Sequence, residues 1–302
     1  MGPLTPPITD VVDLPDGGRM LFGEWPGAGD PLVAVPGLTS HHRFASGIAA
    51  ELDGELRVVA ADLRGRGCSS LPSRPGLIAH AEDVLALMDA IGVDDALIAG
   101  HSMGAYVAAE VARLAPGRIR GVLLIDGGVH GPGEAVGKAV EEERELIRER
   151  LGMSFPSAGE YVDAWRGLAT FDRDWNPVLE QYVRYDIGRT ADGYAPKADA
   201  RSCLADFSEL LSYDAMRERL REIRCPVAAV GAERGILGVG DPVLGPRHLP
   251  VLSGLGIHAE LVTAARTCHH TVTLSPWGAA TCAAAVRALA ARAAGGAEAR
   301  MH

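Results

Sequence analysis

Gly100, Ser102 and Gly104 hold one serine between two glycines in "GHSMGAY". A serine hydroxyl is a weak nucleophile until a neighbouring base takes its proton, so the pattern gains meaning from its surroundings. The plain alternative is that Ser102 only starts a helix, serine being a favoured N-cap. "DDALIAG" before it is a short apolar run suited to a buried strand, and "MGAYVAAEVARLAP" after it is alanine-rich and helical until Pro116. In a strand–turn–helix of this kind the glycines remove Cβ atoms that would clash. The serine is lifted to the top of the sheet, where open α/β folds bind their ligands. The Met103 N–H then sits at a helix N-terminus, suited to a developing oxyanion. Ser102 is therefore read as a nucleophile.

The elements that must position it follow a regular rhythm. "ITDVVDL" and "GRMLFGEW" flank the turn-forming "PDGG" and read as a hairpin. "PLVAVPG", "LRVVAAD", "DDALIAG" and "IRGVLLIDGG" read as buried strands, with helical stretches from about Phe44 to Leu52 and over "HAEDVLALMDAIGV", which stops at Gly92. Strands alternating with helices imply a mostly parallel sheet covered on both faces. The rhythm breaks at Gly131. From there to Arg224 the chain is charged, helical and rich in aromatics, and its acidic run Glu141 to Glu143 is a solvated helix face. Strand character returns at "CPVAAVG" and "IHAELVT", followed by a last helix in "PWGAATCAAAVRALAARAA". The expectation is an α/β core of residues 1–130 and 225–302, interrupted by a helical insertion over 131–224.

Bulk properties narrow the function. With 302 residues, 47% hydrophobic and 23% charged, the chain is globular. Its net charge of −10, with no block of basic residues, argues against nucleic acid or anionic membranes as partners. Five cysteines without C-x-x-C spacing fit free thiols in a reducing cytoplasm. "MGPLTPPITD" has neither a basic stretch nor an apolar core, so no signal peptide is expected, and no run suggests a membrane span. No P-loop or G-x-G-x-x-G occurs, and the adjacent His269 and His270 cannot easily converge on one metal. A small-molecule substrate is expected, with no cofactor and no metal. The oligomeric state is open.

"VPGLTS", "DLRGRGCSS", "GHSMGAY", "LLIDGG" and "CHHTVTL", in that order, resemble the α/β-hydrolase superfamily, and more narrowly its capped, esterase- and lipase-like bacterial members. The resemblance runs from about residue 10 to 293. It implies an α/β-hydrolase fold with 131–224 as a helical cap, and a chain order of nucleophile, acid, histidine. Where such proteins often read Asn-His-Tyr-Thr, this chain has Cys268-His269-His270-Thr271, which makes His269 the base and leaves His270 as its alternative. The base must in turn be held by an acid. The family supplies it at one of two places. The first offers Asp126; the second, usually Gly-x-x-Asp, reads Gly231-Ala232-Glu233-Arg234, with Glu233 one residue early and Asp241 several late. The second oxyanion donor comes from the loop usually written His-Gly-x, here Pro36-Gly37-Leu38. Leu38 N–H joins Met103 N–H as its candidate, with Gly37 behind it.

His130 and Trp165 are candidate pocket residues beside Gly37. His41 and His42 lie near the oxyanion loop, within reach of substrate or as polar loop positions, and His101 is expected to point away from the nucleophile. Asp62, Arg64 and Gly65 match the family's strand-end turn and read as architecture. A serine at the elbow excludes dehalogenases and epoxide hydrolases, which use a carboxylate there. The resulting expectation is a serine hydrolase of carboxylic esters acting through an acyl-enzyme on a hydrophobic small molecule. Its rivals are a lactone hydrolase, a cofactor-free C–C hydrolase or perhydrolase, and a noncatalytic ligand-binding protein of the same fold.

Overall fold

The computed structural model describes residues 5–72, 74–130, 138–171, 174–236 and 238–301. Strands β1 (Ile8–Asp13) and β2 (Arg19–Trp25) form the expected hairpin, and Gly17 takes a φ of 84° in its turn. β3 (Gly29–Val35), β4 (Leu56–Ala61), β5 (Ala96–His101), β6 (Ile119–Ile125), β9 (Val227–Arg234) and β10 (Glu260–Cys268) complete an eight-stranded sheet in the order β1-β2-β4-β3-β5-β6-β9-β10. From β4 to β10 the pairing is parallel; β2 meets β1 and β4 antiparallel. The carboxyl ends of β3, β5, β6 and β10 therefore open on one edge, and each leads into a segment carrying a candidate site residue.

The strands alternate into two apolar layers. Leu32, Ala34, Leu97 and Ala99 face one side, with Leu123, Ile125 and Val230. Val33, Val35 and Ile98 face the other, with Val122, Leu124 and Ala229. Apolar residues on both faces are what a covered parallel sheet requires. α1 (Ser46–Leu52) and α11 (Pro276–Met301) pack on the first face through Ile48, Leu52, Cys282, Val286 and Leu289. α2 (Leu77–Ala90), α3 (Met103–Leu114) and α9 (Leu249–Gly254) pack on the second through Leu77, Val84, Met88, Val107, Val111 and Leu252. Gly92 stops α2 as read from the sequence, with a φ of 67°.

Between β6 and β9 lie α4 (Lys138–Leu151), α5 (Ala158–Arg166), α6 (Pro177–Asp186), α7 (Ala200–Leu210) and α8 (Tyr213–Leu220). This stretch also contains a hairpin, β7 (Ile187–Thr190) with β8 (Gly193–Pro196), which a helical reading does not anticipate. Gly193 makes it possible. Its φ is 136°, and a Cβ there would stand 2.6 Å from the Phe155 carbonyl oxygen. Asn176 caps α6 by accepting from the N–H groups of Val178 and Leu179, with Pro177 at the first helical position. Tyr161, Trp165, Phe171 and Tyr182 join the apolar cluster on the α1/α11 face, so most of the stretch's aromatics serve packing. A short α10 (Thr271–Leu274) links β10 to α11. No helix among the described residues is long and apolar enough to cross a membrane.

Leu289 is fully buried between α11 and the sheet, its side chain against Gly121 of β6. Leu289→Ala is expected to lower the free energy of unfolding by about 2–5 kcal/mol, read by urea denaturation at neutral pH.

Candidate active site

β5 runs straight into Ser102, whose φ of 56° and ψ of −122° lie outside the ordinary regions for a residue with a side chain. α3 begins at the next residue. The two motif glycines make this turn possible. A Cβ on Gly100 would lie 2.0 Å from the Gly104 carbonyl oxygen, and one on Gly104 would lie 2.1 Å from the Val35 carbonyl oxygen. Two further glycines bring in neighbouring loops. A Cβ on Gly127 would stand 2.5 Å from the Ser102 carbonyl oxygen, and one on Gly37 only 3.2 Å from the Ser102 Cβ. Leu38 thus follows a residue in contact with Ser102. Among the described residues, no turn or loop backbone bond takes the N–H of Leu38 or of Met103.

The His269 imidazole is 2.9 Å from Ser102 Oγ through Nε2 and 2.7 Å from Asp126 Oδ2 through Nδ1. With Nδ1–H donating to the carboxylate, Nε2 carries the lone pair that faces the serine hydroxyl. Asp126 ends β6 with a φ of 41° and is fully buried. Its other oxygen accepts from Leu244 N–H at 2.9 Å and Ala232 N–H at 3.2 Å. Burial alone would raise the Asp126 carboxyl. The bond and charge of His269 and the two backbone donors outweigh it and hold the carboxyl below its usual range.

The alternatives for the acid lie elsewhere. β9 continues through Arg234, so Glu233 sits inside the strand, exposed, accepting from Arg266 N–H at 2.5 Å. Asp241 is exposed and paired with Arg247 at 3.5 Å. His270 is half-buried and edge-on to His269, with ring centroids 5.6 Å apart, and also faces Trp165 and Phe171. Trp165 therefore stands one ring away from the base, inside the aromatic cluster. His130 stacks on Tyr106 of α3 at 4.9 Å and reaches its hydroxyl at 3.3 Å.

Several histidines are structural supports that the motif pattern alone did not assign. His101 contacts His269, ring centroids 4.7 Å apart, and its Nε2 donates to the His269 carbonyl at 2.8 Å. His42 bonds Asp62 at 2.8 Å, and the Tyr185 hydroxyl donates to the other Asp62 oxygen at 2.6 Å. His41 lies stacked on Tyr182 at 4.3 Å and edge-on to Tyr185. Arg64 pairs with Asp83 and Asp16, as an architectural turn would. Adjacency to Ser102 gave the only signal for His101; His41 meets Tyr182 and Tyr185 of α6 and His42 bonds Asp62 just after β4, partners distant in the chain that leave no local pattern. Among the described residues no three His, Cys, Asp or Glu side chains group as a metal would need.

This arrangement can be compared with known proteins. A family model described as "alpha/beta hydrolase fold" matches residues 30–170. The solved structure of E-2-(acetamidomethylene)succinate hydrolase superposes with a TM-score of 0.78 over 93% of this chain and 99% of its own, at 18% identity. The chain has the alpha/beta-hydrolase fold. Among relatives by sequence, the "Putative carbamate hydrolase RutD" of Azorhizobium caulinodans is 28% identical over 78% of this chain and 83% of its own length. The pimeloyl-[acyl-carrier protein] methyl ester esterase of Methylococcus capsulatus is 29% identical over 71% of this chain and 80% of its own. These relatives are hydrolases, and the comparison supports a hydrolase here.

The buried histidines give the fold a signature in pH. Burial lowers His41 from 6.5 to about 4, against the pull of the Asp186 and Asp62 carboxylates. Burial, then the facing His269, lowers His101 from 6.5 to about 3. Once the pH drops below 6.5 the unfolded chain binds protons that the folded one refuses, so stability is full above that value and falls as pH drops toward 4 and 3. The urea midpoint is expected to fall steadily from about pH 7 to about pH 4.5. His101→Gln should flatten the decline, and a parent midpoint constant across that range would contradict it.

Proposed function

We propose that the protein is a serine hydrolase of carboxylic esters working through an acyl-enzyme. The observation that carries this reading is the hydrogen-bonded chain from Ser102 Oγ through His269 to Asp126, with the serine on a strained turn at the carboxyl edge of the sheet. Ser102 Oγ attacks the ester carbonyl as its proton passes to His269 Nε2. The N–H groups of Leu38 and Met103 hold the oxygen that becomes negative, each lowering the barrier by about 3 kcal/mol. His269, now cationic and held by Asp126, gives the proton to the leaving alkoxide. A water then follows the serine's path: His269 takes its proton, the hydroxide adds to the acyl carbon, and His269 returns the proton to Ser102 Oγ as the acyl C–O bond breaks and the acid leaves.

Residues 131–224 act in this reading as a cap over the site, and Trp165 and His130 as walls of an apolar pocket, which would favour a hydrophobic acyl group or ring. Five free thiols are in keeping with a cytoplasmic enzyme. A second reading, cleavage of an acyl C–N bond, draws on the carbamate hydrolase name of the relative aligned over 78% of the chain. The same residues serve it, with His269 protonating a departing amine.

A fluorophosphonate is expected to label Ser102 and to abolish turnover of p-nitrophenyl esters. Ser102→Ala should lose about 10⁴-fold or more in kcat while unfolding at the parent's urea midpoint. Asp126→Asn should lower kcat about 10²–10⁴-fold, because the His269 tautomer is no longer fixed. Turnover unchanged in Ser102→Ala would remove this site from the reaction. Near-parental activity in Asp126→Asn would pass the acid's role to Glu233 or Asp241.

A further inference from the structure

Gly37 and Ser40 close a turn in which Ser40 N–H donates to the Gly37 carbonyl at 3.1 Å. The Leu38 N–H belongs to the same peptide plane as that carbonyl and, the bond being trans, points the opposite way, out of the turn. A small rotation of the turn would re-aim this donor relative to Ser102. Every residue that could permit such a rotation is tied down. The Leu38 carbonyl accepts from Arg66 Nε at 2.7 Å and from Cys203 Sγ at 3.4 Å. Thr39 Oγ1 accepts from Arg150 Nη1 at 2.6 Å, and Ser40 Oγ from the Tyr182 hydroxyl at 3.1 Å.

Three of these four donors, Cys203, Arg150 and Tyr182, lie on α7, α4 and α6, between β6 and β9. The fourth reaches the same region through an ion pair. Arg66 is 1% exposed, and its Nη2 stands 2.6 Å from Asp206 Oδ2 on α7. Asp206 also bonds His80 Nε2 at 2.9 Å and accepts from Gly76 N–H at 2.7 Å, while Arg66 Nη1 donates to the Arg64 carbonyl at 3.0 Å. A guanidinium buried this deeply is expensive unless paired and fully bonded. Here its Nε donates to the Leu38 carbonyl, which lies in the peptide plane next to the one that carries the Leu38 N–H.

We propose that α4, α6 and α7 clamp the Gly37–Ser40 turn, with Arg66 the positioning residue that joins Asp206 to the Leu38 carbonyl. The proposal rests on the reading of Leu38 as an oxyanion donor to a Ser102 nucleophile. The clamp gives the donor its direction before substrate arrives, which is where oxyanion stabilisation has its value.

The test compares the parent with Arg66→Met, Arg66→Lys and Thr39→Val. Active sites are counted by fluorophosphonate titration to end point, and p-nitrophenyl ester turnover is expressed per titrated site. Benzeneboronic acid, whose Ser102 adduct places a negative oxygen among the donors, is compared with benzoate, which forms no such adduct. Both Arg66 variants are expected to lose about 10–100-fold in kcat per site, with KM within about twofold. Boronate affinity should fall by the same factor, benzoate affinity should hold, and Thr39→Val should lose about 3–10-fold. A merely structural Arg66 would lower yield and melting temperature but leave kcat per titrated site at the parental value, and that result would overturn the clamp. Should Arg66→Met fail to fold, Arg66→Lys keeps a charge opposite Asp206 while its single ammonium cannot span both partners, and Thr39→Val leaves the buried pair intact. A parent that neither labels nor turns over would instead overturn the Ser102 reading, and the clamp with it.

Discussion

The turn at Ser102 is the constraint around which the carboxyl edge is built. A non-glycine residue at a φ of 56° and a ψ of −122° stores about 1–3 kcal/mol and persists only where its surroundings over-determine it. Here they do so from three sides. β5 is locked between β3 and β6, α3 leaves at once from the following residue, and Ser102 N–H is taken by the Ile125 carbonyl at 2.9 Å. Crowding then dictates where glycine must stand. Gly100 and Gly104 let helix and strand approach, Gly127 lets the chain leaving β6 cross the Ser102 backbone, and Gly37 admits the loop after β3. The positions of Asp126 and Leu38 beside the serine are thus consequences of how tightly four backbones meet.

Burial is put to opposite electrostatic uses within this region. Asp126 stays ionised because three donors converge on it, two from the backbone and one from His269. His101 stays neutral because burial, with the facing His269, outweighs the pull of the Asp126 carboxylate, and as a neutral ring it can lie against His269 without repelling it while holding its carbonyl. In the proposed reaction a cationic His101 would oppose the imidazolium formed on His269. Keeping one buried histidine uncharged would then let its neighbour become charged, with Asp126 rather than solvent as the counter-ion.

What the chain's pattern revealed and what it hid follow the range of the interactions. The β1–β2 hairpin, the apolar parallel strands, the halt of α2 at Gly92 and the Ser102 turn are all set by neighbours within a few residues, and period and turn chemistry expose them. The choice among Asp126, Glu233 and Asp241 was open because it depends on where β9 ends. The strand continues through Arg234, and Glu233 stands exposed at the break in register between Ala264 and Cys268, where its carboxylate accepts from Arg266 N–H. The β7–β8 hairpin went unseen because its strands are four residues each, inside a stretch dominated by helical composition. Arg66, in "DLRGRG", looks like any polar turn residue. Its burial is decided by Asp206 on α7 and His80 on α2, partners that no local window contains.

The way the 131–224 segment is attached bears on how such a site can open. Its apolar contacts, through Tyr161, Trp165, Phe171 and Val183, join the α1/α11 face and would tolerate some sliding, since dispersion is not directional. Its polar contacts would not. Arg150 reaches Thr39 while paired to Asp186, Tyr182 reaches Ser40, and Asp206 holds Arg66, so each bond has a fixed partner on or beside the Gly37–Ser40 turn. A movement of α4 and α6 large enough to break the first two would release Thr39 and Ser40 together. Arg66 and Cys203 would still hold the Leu38 carbonyl through α7. Movement of α4 and α6 is therefore separable from the backbone of Leu38, and on the proposed reading displacement of α7 is the motion that would reach the oxyanion donor.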